Sequence, residues 1–147
     1  MPIGPRLAVA AWAVCAAVAA ASAGCWQVPS GVVPVSGVVL LDGQPLPGAV
    51  VTLQPLREGS TVADEVGGSV GRTDAEGRFV LRLVRPDSPG AAVGKHVVTI
   101  TTAHARPTDA VAPQGERVPA PWRNGTRTVE IPAGGTDALR LEIQSRN

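Results

Sequence analysis

An antiparallel β-sandwich behind an export leader is the fold the sequence predicts, and three observations predict it. From Val35 onward apolar residues recur at every second position, the period of a strand with one buried and one wet face. Glycine and proline, 17 and 14 copies in 147 residues, cut those runs into short pieces. No stretch after Gly24 carries the apolar period of an amphipathic helix.

The leader comes first. Met1 to Arg6 holds one positive charge, and Leu7 to Ala23 is uncharged and mostly Ala and Val. A basic start, an apolar stretch and a small-residue end make an export signal. A retained transmembrane helix is the alternative, since the apolar run sits at the short end of the spanning range. Alanine is only weakly apolar, however, and no basic cluster follows as a stop signal. The chain therefore divides into a signal peptide, 1–24, a short tether, 25–34, and one β domain, 35–147.

Cys15 and Cys25 are the two cysteines. They cannot staple the domain, because Cys15 lies inside the leader. A lone cysteine left in an exported protein needs a reason. Ala23 and Gly24 precede Cys25, and cleavage after Gly24 makes it the first mature residue. This resembles the lipobox of bacterial lipoproteins, in which the thiol receives diacylglycerol. Ser22 stands where that pattern usually has leucine. Cleavage after Ala21-Ser22-Ala23, by the small-x-small rule, is the alternative and gives a secreted soluble protein. Trp26 replaces the aspartate of the inner-membrane retention signal, which points to the outer membrane or the periplasmic face of the envelope.

The strands follow in order. "VSGVVLL" sets Val35, Val39 and Leu41 on one face, with Gly37 at the remaining site. Asp42-Gly43 favours a tight turn, because glycine accepts positive φ. "AVVTL" then puts Ala49, Val51 and Leu53 on one side, so the two strands are expected to form a hairpin. After a polar loop over 54–68, "SVGRTDAEGRFVLRL" reads as a second hairpin. Its turn is Asp74 to Gly77, and Phe79, Leu81 and Leu83 alternate with Arg78, Val80 and Arg82. A Pro/Gly loop over 85–94 leads to "KHVVTIT", with His96, Val98 and Ile100 on one face. The segment 103–125 holds Pro107, Pro113, Pro119 and Pro121 and shows no periodicity. Two last strands flank "PAGG": Val129 and Ile131 share one face, as do Leu139, Leu141 and Ile143. Fully burying each aliphatic side chain contributes roughly 1.5–3 kcal/mol before entropy is counted, enough for a core without a disulfide.

The order of these signals is similar to that of a known family. "VSGVVLLDGQPLPGAVVTLQP", "GRTDAEGRFVLRL", "GKHVVTITT", "VPAPW" and "RTVEIPAGGTDALRLEI" together resemble the carboxypeptidase-regulatory-like, transthyretin-like domain. The likeness is greatest to small lipoproteins of planctomycete-type bacteria that carry one such domain behind a lipobox. It covers Val35 to Ile143 and implies a seven-stranded antiparallel Greek-key sandwich. Three residues depart from the pattern. His96 stands where tyrosine is common, Arg127 where an apolar residue often opens the sixth strand, and Trp122 where the long loop usually has tyrosine.

Chemistry is sparse. Once Arg6 leaves with the leader, basic and acidic residues balance, which argues against a nucleic-acid surface. His96 and His104, one in a strand and one in a loop, fall short of a zinc site; His96 reads as a packed strand histidine. Asp74 and Glu76 fall short of calcium's six to eight oxygens and read as turn residues. No nucleophile has a base beside it, and no phosphate loop or dinucleotide fingerprint occurs. The transthyretin-like fold includes a hydroxyisourate hydrolase, whose motifs are paired histidines, an arginine and a C-terminal Tyr-Arg-Gly-Ser. This chain has no tyrosine and ends "EIQSRN".

The expected protein is thus no enzyme and uses no metal or cofactor. It is a cell-envelope lipoprotein held to the membrane by lipid, serving as a structural or interaction module for an envelope protein or polysaccharide. The alternative is a carbohydrate-binding or substrate-binding accessory module that uses the loop 103–125. That loop exceeds the usual length of a structureless connection, and Trp122 with Arg123 gives it an aromatic and a cationic handle.

Overall fold

The computed structural model describes residues 31–56, 67–103 and 115–145. Gly24, Cys25, Trp26 and His104 lie outside the described residues, and so do the leader and most of the tether.

The strands in chain order are β1 (Val32–Val33), β2 (Val35–Leu41), β3 (Gln44–Pro45), β4 (Val50–Pro55), β5 (Ser69–Arg72), β6 (Arg78–Val80), β7 (Arg82–Leu83), β8 (Ser88–Pro89), β9 (Ala91–Ala92), β10 (Gly94–Thr101), β11 (Arg127–Ile131) and β12 (Thr136–Ile143). One helical turn, α1 (Ala120–Arg123), precedes β11. The large sheet runs β11-β10-β4-β5-β7-β8, and the small one runs β12-β2-β3 with β6 also on β2. β1 pairs separately with β9. Among the described residues no helix is long and apolar enough to cross a membrane.

The described residues are mostly β with almost no helix, as the alternation predicts, and the buried faces of the main strands are those expected. Val35, Val39 and Leu41 from the small sheet meet Val51, Leu53, Val98, Ile100 and Ile131 from the large one, with Phe79, Leu141 and Ile143 between them. Arg78, Val80 and Arg82 alternate outward from the buried Phe79, Leu81 and Leu83. The core is therefore the space between two sheets, filled from both sides.

Partnering differs from expectation at both hairpins. Asp42 and Gly43 take positive φ, 51° and 81°, the mirror-image turn that suits a twisted hairpin. Yet β2 pairs only with Gln44 and Pro45 across it, and β4 lies in the other sheet. Pro45 and Pro47 supply no N–H, so the ladder stops and the chain crosses over. Thr73 stitches the crossing: its hydroxyl accepts from Ala49 N–H and donates to Leu46 carbonyl, both at 2.7 Å. The second hairpin divides in the same way. The turn Asp74 to Gly77 forms as expected, closed by bonds between Asp74 and Arg78 and between Gly77 and Asp74. Beyond it β6 joins β2, whereas β7 returns to β5.

Three further differences follow. Every pairing is antiparallel except β2 with β12, which run parallel. Val32–Val33, expected in the tether, form β1. The segment expected to lack periodicity contains α1, whose Pro121 sits at its first turn, where a missing N–H costs nothing.

The strand directions give the sandwich two distinct ends. Gly31, Leu56, Gly67, Val84, Gly94 and Ile131 gather at one, tied by Leu56 N–H to Lys95 carbonyl and Val93 N–H to Gly31 carbonyl, each 2.9 Å. The turns at Asp42 and Asp74, the stem of the long loop and Ser145 gather at the other. There Asp42 carries the C-terminal strand: its N–H donates to Ile143 carbonyl, and its carboxylate accepts from Ser145 N–H at 2.9 Å.

Candidate functional site

The stem of the long loop is held by one carboxylate. Glu116 Oε2 accepts from the Thr101 hydroxyl at 2.5 Å, and Oε1 accepts from Thr102 N–H and Val118 N–H at 3.2 and 2.9 Å. Thr102 Oγ1 in turn accepts from Arg117 N–H at 2.8 Å. Partial burial pushes the Glu116 carboxyl up, but the donors from Thr101, Val118 and Thr102 outweigh it and hold it below its ordinary value. The clasp locks the ionised form and shuts the base of the loop. It is a structural use of an acid that the sequence merely places in the loop.

Beyond the clasp α1 lays Trp122 against the core, half-buried. The guanidinium over its ring belongs to Arg127, 5.4 Å from the centroid, within cation–π range. Arg123, the cation expected to accompany Trp122, is exposed. Trp122 and Arg127, five residues apart in sequence, therefore touch one another. Sequence proximity pointed to position 123; strand placement selects 127.

His96 is in the core with 1% of its surface exposed. It stands between Pro55 of β4 and Val129 of β11. Nδ1 donates to Gly94 carbonyl at 3.0 Å, which fixes the neutral tautomer and leaves the Nε2 lone pair without a partner among the described residues. Burial pulls the pKa down, and the Gly94 carbonyl opposes it more weakly. Asp74 serves its own turn, accepting from Glu76 N–H and Arg78 N–H at 3.0 and 2.8 Å. The Arg78 amide bond is the main reason its carboxyl lies below the ordinary value. Among the described residues no three His, Cys, Asp or Glu side chains gather as a metal site.

A groove that the sequence did not announce opens on the outer face of the small sheet. Its volume is about 880 Å³, and Ser36 and Val38 of β2, Arg78 and Val80 of β6, and Asp137 to Arg140 of β12 line it. Two backbone features build it. A Cβ on Gly37 would stand 2.0 Å from Leu139 carbonyl, so only glycine lets β12 approach this closely. The register then slips between Thr136 and Leu139, and this bulge turns Asp137 and Ala138 outward. The floor is apolar, with Val80 65% exposed. Arg78 and Arg140 rim it, each already paired with a neighbouring carboxylate, Arg78 with Asp74 and Glu76, Arg140 with Glu142. Arg78, read from sequence as a plain outward strand residue, is thus part of the rim. No local signal could have assembled this groove, because its three strands are joined by a parallel pairing between opposite ends of the domain.

Compared with known proteins, the chain matches no family model, no curated protein and no solved structure.

Proposed function

We propose that the protein is an exported, lipid-anchored interaction module of the cell envelope, non-catalytic, with a transthyretin-like, carboxypeptidase-regulatory-like sandwich as its body. The seven-stranded Greek-key description belongs to this proposal, with short strands such as β3, β8 and β9 as ornaments of a simpler frame. The anchor is Cys25, freed by cleavage after Gly24, and the leader together with the single remaining cysteine supports it.

The observation that carries the binding role is the groove over β12, β2 and β6. An open groove of about 880 Å³ with an apolar floor and a rim of both charges suits an extended segment of a partner protein. The polar groups that would suggest catalysis have structural employment instead. Glu116 is taken by the loop clasp, Asp74 by its turn, and His96 by the core. Trp122 has Arg127 over its ring and the core against it, which leaves the glycan-binding reading through Trp122 and Arg123 without an open aromatic face.

A pull-down from envelope extract with the chain from residue 26 onward tests the groove. Val80→Asp with Ala138→Asp should reduce recovery of the partner at least several-fold with the thermal melt unchanged. Trp122→Ala with Arg123→Ala should lower the melt and leave recovery intact. Lost recovery only in the second pair would move the site to the long loop, and a glycan-array signal abolished by that pair would restore the carbohydrate reading.

A further inference from the structure

We propose that the end of the sandwich from which the tether leaves rests directly on the lipid surface, inserting Leu56, Val84 and Val93 at the headgroup boundary; this deepens the anchor reading and rests on it. Among the described residues the large apolar side chains with substantial exposure are Leu56, Val70, Val80, Val84 and Val93. Val70 and Val80 lie on strand faces. The other three share one end, at 36%, 56% and 37% exposure. Backbone bonds fix that sharing: Leu56 N–H donates to Lys95 carbonyl, Val84 N–H to Gly68 carbonyl and Val93 N–H to Gly31 carbonyl, each 2.9 Å. β1 begins at Val32, one residue after Gly31, so the chain enters the sandwich at the end that carries these three side chains, directly beside Val93.

The length of the tether selects the occupant. Cys25 and Gly31 are six positions apart, and even a fully extended backbone covers that gap in roughly 20 Å. β10 alone, at eight residues, spans about 26 Å. The leash is shorter than the sandwich is long, so an acylated Cys25 keeps this end beside the headgroups. The opposite end, with the Asp42 and Asp74 turns, stays away. Exposed apolar side chains beside a lipid surface are favoured at the headgroup boundary, whereas in water their exposure is unfavourable. Charge contributes little. Arg85 and Lys95 stand exposed at this end, but Glu130 lies across from Lys95 in the register, and Asp87 pairs with Arg82 at 2.9 Å. The contact is therefore apolar, and salt should not release it.

The test uses the full lipidated chain on phosphatidylcholine vesicles, with an environment-sensitive fluorophore at Val84→Cys or, at the far end, Gln144→Cys. Both proteins should float with the vesicles. The label at 84 should emit further to the blue and be quenched several-fold less by iodide than the label at 144, equally at low and high salt. In Cys25→Ser protein, free in solution, both labels should be quenched alike. Flotation with equal quenching at the two positions keeps the anchor and overturns the docking. Absence of flotation removes the anchor and the docking with it. Shielding at 84 already present in the Cys25→Ser protein would assign the cover to the chain itself and also overturn the proposal.

Discussion

The large and small sheets bury the same kinds of side chain but are assembled in opposite ways. In the large sheet β10 lies between β11 and β4, antiparallel to both, with unbroken register from Gly94 to Thr101. Alternation alone decides which side chains go inward there, and His96, Val98 and Ile100 obey it. In the small sheet β2 recruits β12 from the far end of the chain, in parallel and across a bulge. That pairing depends on a missing side chain at Gly37. The same period-two pattern thus serves the evenly registered ladders of β10 and the β2–β12 pairing, which demands a particular backbone approach at Gly37. The groove lies on the second.

The largest expected effect tests what the two sheets share. Phe79 belongs to β6 of the small sheet, yet its ring fills the common core at 2% exposure. Phe79→Ala should cost about 3–5 kcal/mol by urea denaturation, against about 0.5–1.5 kcal/mol for Ile100→Val in the large sheet. Near-equal losses would mean that the ring is no keystone between the layers.

A smaller effect separates the sheets. Gly37→Ala drives a methyl into the Leu139 carbonyl and should cost about 1–3 kcal/mol, the usual range for forced overpacking. It should also loosen the groove, seen as faster amide exchange at Leu139 to Leu141. Gly94 of the large sheet has φ of 113°, and a methyl added there would meet nothing within 4 Å. Gly94→Ala should therefore show backbone strain without any change in exchange on β12. If both substitutions speed exchange alike, close approach is not what Gly37 provides.

The smallest effect at neutral pH concerns the large sheet alone. His96 is neutral in the folded core, with its pKa below the ordinary 6.5. Unfolding lets the ring take up a proton that the core refuses. Stability is then full above about pH 6.5 and declines as the pH falls from there toward the lowered folded value. Asp74 and Glu116 are held below 3.8 and 4.5, so their contributions fail only in more acid solution. Denaturation midpoints measured from about pH 7.5 to about pH 5 should fall for the native chain and stay level for His96→Leu. An equal slope in both would assign the acid sensitivity elsewhere.

The inward faces of the main strands were legible from local spacing, because alternation is a property of an extended backbone. Val35, Val39 and Leu41, Phe79, Leu81 and Leu83, and His96, Val98 and Ile100 all face inward as their spacing says. Both tight turns were legible too, since Asp42-Gly43 takes the positive φ that glycine accepts and Asp74 bonds the amides of its own turn. Which strand lies beside which was decided only in three dimensions. The Asp42-Gly43 turn was legible, but the crossing that follows it needed Thr73, far along the chain, to satisfy Leu46 and Ala49. Arg127 over Trp122, the Glu116 clasp on Thr101 and Thr102, and the groove over Gly37 likewise join residues that local spacing cannot relate. A strand's period records which face meets the core, while its edges can bond to any strand that arrives. Only the packed sandwich selects the one that does.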